Sequence, residues 1–268
     1  MSRTIYTKAK LGEITQGSII SGATSDVYGD VDIYGVVISA RCAIAERKVR
    51  TYHYIPLIPF SKFKENDFIR LCVEELINDY KSKIKGLLKN NNLSMSIVDV
   101  FTPRDIQRTL QDKIHKNNKA NFIEYTDVVS QLIDGQYSSP KIQGLIKKHY
   151  NSIISKLCKH GYVDYYLMEG WPDSEEEYYV LLLQEIKAIP NEIFFQIPNG
   201  IETDRIKTVC SKCDLSIAID NGLYFVQAQI LSPYIEHIIQ RFHHNFGRIG
   251  VEDLQVELTT QELNNILS

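Results

Sequence analysis

Apolar positions along this 268-residue chain change their period twice. Up to about residue 60 they form short β-branched and aromatic runs, "GSIISG", "VDIYGVVIS" and "RTYHYIPLIPF". Gly, Asp and Ser separate these runs, which predicts strands. The consecutive apolar residues Val36, Val37 and Ile38 predict a central strand covered on both faces. Between 61 and 160 the period becomes helical. Ile69, Val73, Leu76, Tyr80, Ile84, Leu87 and Leu88 line one stripe, with Asn66 as the expected N-cap. Thr102–Pro103 and Ser139–Pro140 predict two further helix starts, and Gly135 and Gly161 predict stops. After 161 strands return in "VDYYLMEG", "EYYVLLLQEIKAI" and "LYFVQAQIL". An amphipathic helix follows in "SPYIEHIIQRFHHNF", with Ser232 as cap and Ile235, Ile238, Ile239, Phe242 and Phe246 as its buried stripe. A short helix, "TTQELNNIL", is expected last.

Strands, then helices, then strands predict an α+β fold. Each β segment has too few strands to bury a core by itself. The expectation is therefore one discontinuous β-barrel domain, residues 1–60 plus 161–268, interrupted by an all-helical insertion over 61–160 and closed by a C-terminal helix. The insertion is expected to form a lobe of its own.

Charge follows the same division. The formal net charge of -3 resolves into +2 for residues 1–60, +6 for 61–160 and -11 for 161–268. The balance excludes a polyanion binder by bulk charge. It leaves a modest basic surface on the helical block, with Lys141, Lys148, Lys156 and Lys159 on polar faces. Five scattered cysteines do not form a disulfide framework and fit reduced thiols. The N-terminus lacks the apolar core of a signal peptide, and no apolar run is long enough to span a membrane. A cytoplasmic protein without membrane contact is expected.

Five segments resemble the MazF/PemK family of bacterial toxins. "GSI" at 17–19, "GVVIS" at 35–39 and "YIPLIPFS" at 54–61 are similar to that family's opening strands. "LLLQEIKAI" at 181–189 and "QAQILSPYIEHIIQRF" at 227–242 are similar to its later strand and closing helix. The resemblance implies a small SH3-like barrel over residues 12–61 and 176–246, with no counterpart for the helical block. It also implies a ribonuclease site, but the positions matching the family's arginine and threonine hold Ile33 and Ile58. Neither can stabilise a phosphate or move its proton. "VVISARCA" and "SPYIEHIIQRFHHNFGRIG" further resemble paired motifs of larger bacterial proteins found near mobile or phage-defence genes, with Ala43 where that pattern has Asp.

Four groups of residues could carry chemistry. Arg41, Arg47, Lys48 and Arg50 follow the central strand, beside Cys42. Cationic neighbours favour a thiolate, but no histidine is near in sequence to act as base, so any role is expected to be electrostatic. His237, Arg241, His244 and Arg248 recur at helical spacing and could hold an anion or be an ordinary polar face. Cys210 and Cys213 have half the spacing of a zinc site and no second pair, so no metal and no cofactor are expected. The basic face of the helical block lacks interleaved aromatics. The reading is a non-enzymatic binding or adaptor subunit, with a protein partner and nucleic acid as a further possibility through the basic hairpin or the helical block. The alternative is a metal-independent endoribonuclease with a rearranged site.

Overall fold

The computed structural model describes residues 5–29, 33–202, 205–206 and 223–246. The fold is mixed α+β. Its strands are β1 (Tyr6–Lys8), β2 (Ser18–Ile20), β3 (Tyr34–Val37), β4 (Thr51–Pro59), β5 (Tyr165–Glu169), β6 (Tyr178–Leu182), β7 (Lys187–Pro190), β8 (Ile201–Glu202), β9 (Leu223–Tyr224) and β10 (Val226–Ile230). β8 and β9 form a two-stranded ribbon. The others form one antiparallel sheet in the order β1-β10-β2-β3-β4-β6-β5, with β7 also paired to β4. Strands from both ends of the chain are thus hydrogen-bonded in the same sheet.

β3 lies in the middle, as its apolar run predicts. Val36 faces one core and Val37 the other, and both are fully buried. Gly35, just before them, lets the Tyr54 ring lie against the strand, since a Cβ there would come within 2.7 Å of that ring. The segment read as one strand, "EYYVLLLQEIKAI", is divided. Leu57 faces Leu181 but Tyr54 faces Lys187, so three residues are extruded between β6 and β7. Glu185 fixes this bulge. Its buried carboxylate accepts from Ser25 Oγ and from the Asp26 N–H, each at 2.9 Å.

The sheet curls into a half-barrel. The Tyr6 hydroxyl donates to the Glu169 carbonyl, linking β1 to β5, the two ends of the strand path. Tyr6, Ile19, Val36, Leu57, Tyr179 and Leu181 fill the concave side. The last helix closes it with Ile235, Ile238 and Phe242, as the sequence stripe predicts.

The convex side carries Ile20, Val37, Tyr52, Tyr54 and Ile58, and its apolar cluster continues without a break into the helices. These are α1 (Arg41–Glu46), α2 (Phe60–Phe63), a π-helical turn (Lys64–Phe68), α3 (Ile69–Asn90), α4 (Ile97–Val100), α5 (Pro103–Leu110), α6 (Lys116–Ile133), α7 (Pro140–Lys148), α8 (Tyr150–Cys158), α9 (Asn191–Phe194) and, closing the concave side, α10 (Tyr234–Phe246). Thr102 and Ser139 cap α5 and α7 as predicted, accepting from the N–H groups of Asp105 and Ile142. Among the described residues no helix is long and apolar enough to cross a membrane.

Three local expectations are corrected. Asn66 is not an N-cap, because helix starts at Phe60, directly after β4, and Phe63 and Phe68 extend the buried stripe backward. The buried polar residue of that turn is Asp67, which accepts from Tyr28 Oη at 2.6 Å and from Arg70 Nε at 3.0 Å. The run 139–160 is two helices that meet at His149, so that Ile142 and Ile146 on one and Ile153 and Leu157 on the other all reach the core. The stretch "RCAIAERKVR" is not simply the exposed basic hairpin expected after the central strand. Ile44 is 5% exposed and anchors α1, and Arg47 ends this helix in the left-handed region at φ 53°.

Candidate binding site at the open seam of the sheet

The β3–β4 connection carries Arg41, Cys42, Arg47, Lys48 and Arg50 at the surface, and the structure does not focus them on one point. Arg41 Nη2 lies 2.9 Å from Glu236 Oε1 on α10. The Glu236 carboxyl is held below its usual range first by its own helix N–H, then by Ser232 and Arg41, against the opposing effect of burial. The Arg47 guanidinium sits 4.3 Å from the centre of the Phe195 ring, a cation–π contact. Lys48 pairs with Glu46 at 2.9 Å. The Arg50 side chain is exposed, and its carbonyl accepts from the Asn191 N–H.

Part of the basic face of the helical block is engaged within the molecule, while Lys148 and Lys159 are exposed. Lys141 pairs with Glu124, and Lys85 with Asp99. Lys156 pairs with Glu75, which also accepts from Ser152 and ties α8 to α3.

The residues that do converge lie where α8, β5 and α10 meet. Two of them, His237 and Arg241, were selected from sequence. Arg241 Nη2 donates to the carbonyls of His160 and Tyr162, the latter at 2.9 Å. The Tyr166 hydroxyl is 3.0 Å from His237 Nδ1. The His160 ring stacks on the Tyr166 ring at 4.1 Å and 11°, and the His237 ring meets both edge-on, at 5.4 and 5.5 Å. His160 Nδ1 is buried and has no hydrogen-bond partner among the described residues. Burial first, and then the neighbouring His237 and Arg241, hold the His160 imidazole below its ordinary pKa. Tyr166 is pushed up by burial.

His160 and Tyr166 were missed in the sequence. His160 stands just after α8 at φ 51°, a conformation uncommon outside glycine, and only the adjacent Gly161 marks the bend. Tyr166 has the alternation of any half-buried strand. His244 is exposed near the end of α10 and does not join the cluster. Arg248, Cys210 and Cys213 lie outside the described residues.

Beside this cluster a cleft of about 280 Å³ opens between β5, α10 and Ile5, the residue before β1. Ile5, Met168, Tyr178, Tyr234 and Ile238 give it an apolar wall, while His160 and Glu169 add polar groups. Among the described residues, no group of three or more His, Cys, Asp and Glu could hold a metal ion.

Cys42 and Cys158 are exposed, whereas Cys72 is buried, and burial and then Glu75 push its thiol up to about 11. A thiol reagent at neutral pH is expected to label Cys42 and Cys158 in the native protein, and Cys72 only after unfolding. Peptide mapping by mass spectrometry reads this directly, and native labelling of Cys72 would contradict the buried core around α3.

Compared with models of known protein families, with curated proteins and with solved structures, the chain matches none.

Proposed function

We propose that this chain is a non-enzymatic binding or adaptor subunit, built on an SH3-like barrel of MazF/PemK type that carries residues 61–160 as a helical insertion. Its setting is a bacterial defence or toxin–antitoxin system in the cytoplasm. One observation carries the non-enzymatic part. The positions that match the toxin nuclease residues are Ile33 and Ile58, at 1% and 0% exposure. Both are apolar and inside the core, so no phosphate can reach them and neither could act on one.

The His160–His237–Arg241 cluster favours the alternative, an endoribonuclease with a rebuilt site. Its geometry weighs against that chemistry. The two imidazole rings are in edge-on contact at 5.4 Å, which leaves no phosphate-sized gap between an acid and a base. Arg241 already donates to two main-chain carbonyls. The test is a mixed RNA ladder incubated with purified protein, with and without a chelator. An intact ladder is expected in both arms. Defined cleavage that disappears in Arg41→Ala or Arg241→Ala would overturn the proposal.

A further inference from the structure

The open seam has a direction. The sheet path holds seven strands that alternate in direction, so its two edge strands, β1 and β5, run the same way. They cannot close on each other in antiparallel fashion, but a strand running opposite to β5 could pair with its free edge. That edge can be read from the ladder. The Gly170 N–H donates to the Glu177 carbonyl, and the Leu183 N–H donates to the Asp164 carbonyl. In an antiparallel pair the bonded residues alternate, so Tyr166 and Met168 also bond to β6. Tyr165, Leu167 and Glu169 therefore turn their main-chain groups outward. Glu169 does so visibly, its carbonyl accepting from Tyr6. The cleft is lined by Tyr166, Leu167, Met168 and Glu169 in succession. Side chains of alternate residues point to opposite faces, so the cleft runs along the strand edge itself.

Charge along this edge is polarised. At the start of β5 stand His160, His237 and Arg241, with exposed Lys159 beside them. At its end stand Glu169 and the β5–β6 connection with Asp173, Glu175, Glu176 and Glu177. A peptide antiparallel to β5 would place its N-terminal part at the acidic end and its C-terminal part at the histidine–arginine end.

We propose that the edge of β5, unpaired with any other strand among the described residues, is a strand-addition site for the C-terminus of a partner polypeptide. Its terminal carboxylate lies at the end of β5 that carries the Arg241 and Lys159 charges, beside the His160 and His237 rings, and its last side chain enters the cleft. Main-chain bonds to both groups of Leu167 and to the Glu169 N–H, whose carbonyl stays with Tyr6, give the affinity common to strand addition, and the cleft gives selectivity for an apolar last residue. The acidic connection selects lysine or arginine a few residues upstream. This proposal rests on the binding reading above and names its partner class.

The experiment uses the full chain and a pool of fluorescein-labelled peptides, each about seven residues, enough to span β5. The pool is randomised toward its C-terminus and made with either a free carboxylate or a terminal amide. The carboxylate pool is expected to bind, with an apolar last residue and upstream basic residues among the selected sequences. Amidation is expected to weaken selected peptides by roughly tenfold to a hundredfold, the size of one lost charge-assisted bond. Glu169→Pro removes one outward N–H and keeps both the carbonyl used by Tyr6 and the β5–β6 ladder. It is expected to weaken binding while leaving the melting temperature in place, and methylating the facing peptide amides should act in the same way. The proposal is overturned by no binding, by equal binding of the amides, by indifference to both backbone changes, or by single-stranded RNA displacing the peptides from the cleft. An intact RNA ladder with no peptide binding removes only this site, whereas a cut ladder removes the binding reading itself.

Discussion

Phe63→Ala is expected to lower the stability of the whole protein by about 3–5 kcal/mol, in one transition rather than two. Phe63 has no exposed surface. Its ring meets Tyr165 of β5 edge-on at 5.0 Å and lies 6.0 Å from that of Phe60. It thus joins the first turn after β4 to the far edge of the sheet. The same apolar cluster runs from Ile20, Val37 and Tyr54 on the sheet to Ile84, Phe122 and Ile153 in the helices. A cavity there loosens both at once, because the convex face of the sheet and the helices share one apolar cluster. Trp171 is the only tryptophan, and it lies in the concave core against Tyr34 and Tyr179, so its fluorescence reports the sheet. Far-UV circular dichroism reports mostly the helices. Denaturant curves from the two signals are expected to coincide in the wild type and to shift together in the variant. Helices that melted first, with Trp171 unmoved, would show an independent lobe.

Arg241→Ala is expected to cost about 2–3 kcal/mol, the size of one or two charge-assisted hydrogen bonds to partly buried carbonyls. Arg241 holds the turn at His160 and Tyr162 against α10, and the variant leaves both carbonyls short of a donor. Arg241→Lys is expected to restore only part of the loss, since an ammonium does not reproduce the planar fork that reaches two acceptors. The variant also changes the pH dependence. A histidine whose pKa is depressed by folding contributes stability above its unfolded pKa of about 6.5. That contribution is lost as pH falls through this region. For His160 the causes are burial first, then His237 and Arg241. Removing Arg241 takes away one of them, so the His160 imidazole is expected to titrate at higher pH by NMR, with a shallower loss of stability below pH 6.5. An unchanged titration would place Arg241 outside the cluster.

The apolar period carried much of the fold. Val36 and Val37 announced a strand covered on both faces, and Ile235, Ile238 and Phe242 announced the helix that closes the concave core. Thr102 and Ser139 announced their caps because an oxygen-bearing side chain before proline has few other uses. What stayed hidden depended on distant partners. The β6–β7 bulge is fixed by Ser25 and Asp26, about 160 residues before Glu185, so nothing local marks it. The polar stripe of α10 was legible as a stripe, but sequence could not show that Arg241 would clamp main chain while His237 met a tyrosine. The basic run after β3 looked like one surface. Folding sent Arg41 to Glu236 and Arg47 to Phe195, because long side chains take the nearest acid or ring once the connection bends through α1.

Amide hydrogen exchange along β5, followed residue by residue by NMR in the free protein, tests the central claim most directly. That claim is a half-barrel with an open, strand-accepting edge instead of a catalytic centre. The account predicts alternation. The N–H groups of Tyr166 and Met168, bonded to β6, exchange slowly, whereas those of Leu167 and Glu169 exchange quickly and become protected when a carboxylate-terminated peptide binds. Uniform protection across Tyr165–Glu169 in the free protein would mean that the edge is already covered, and would contradict the account.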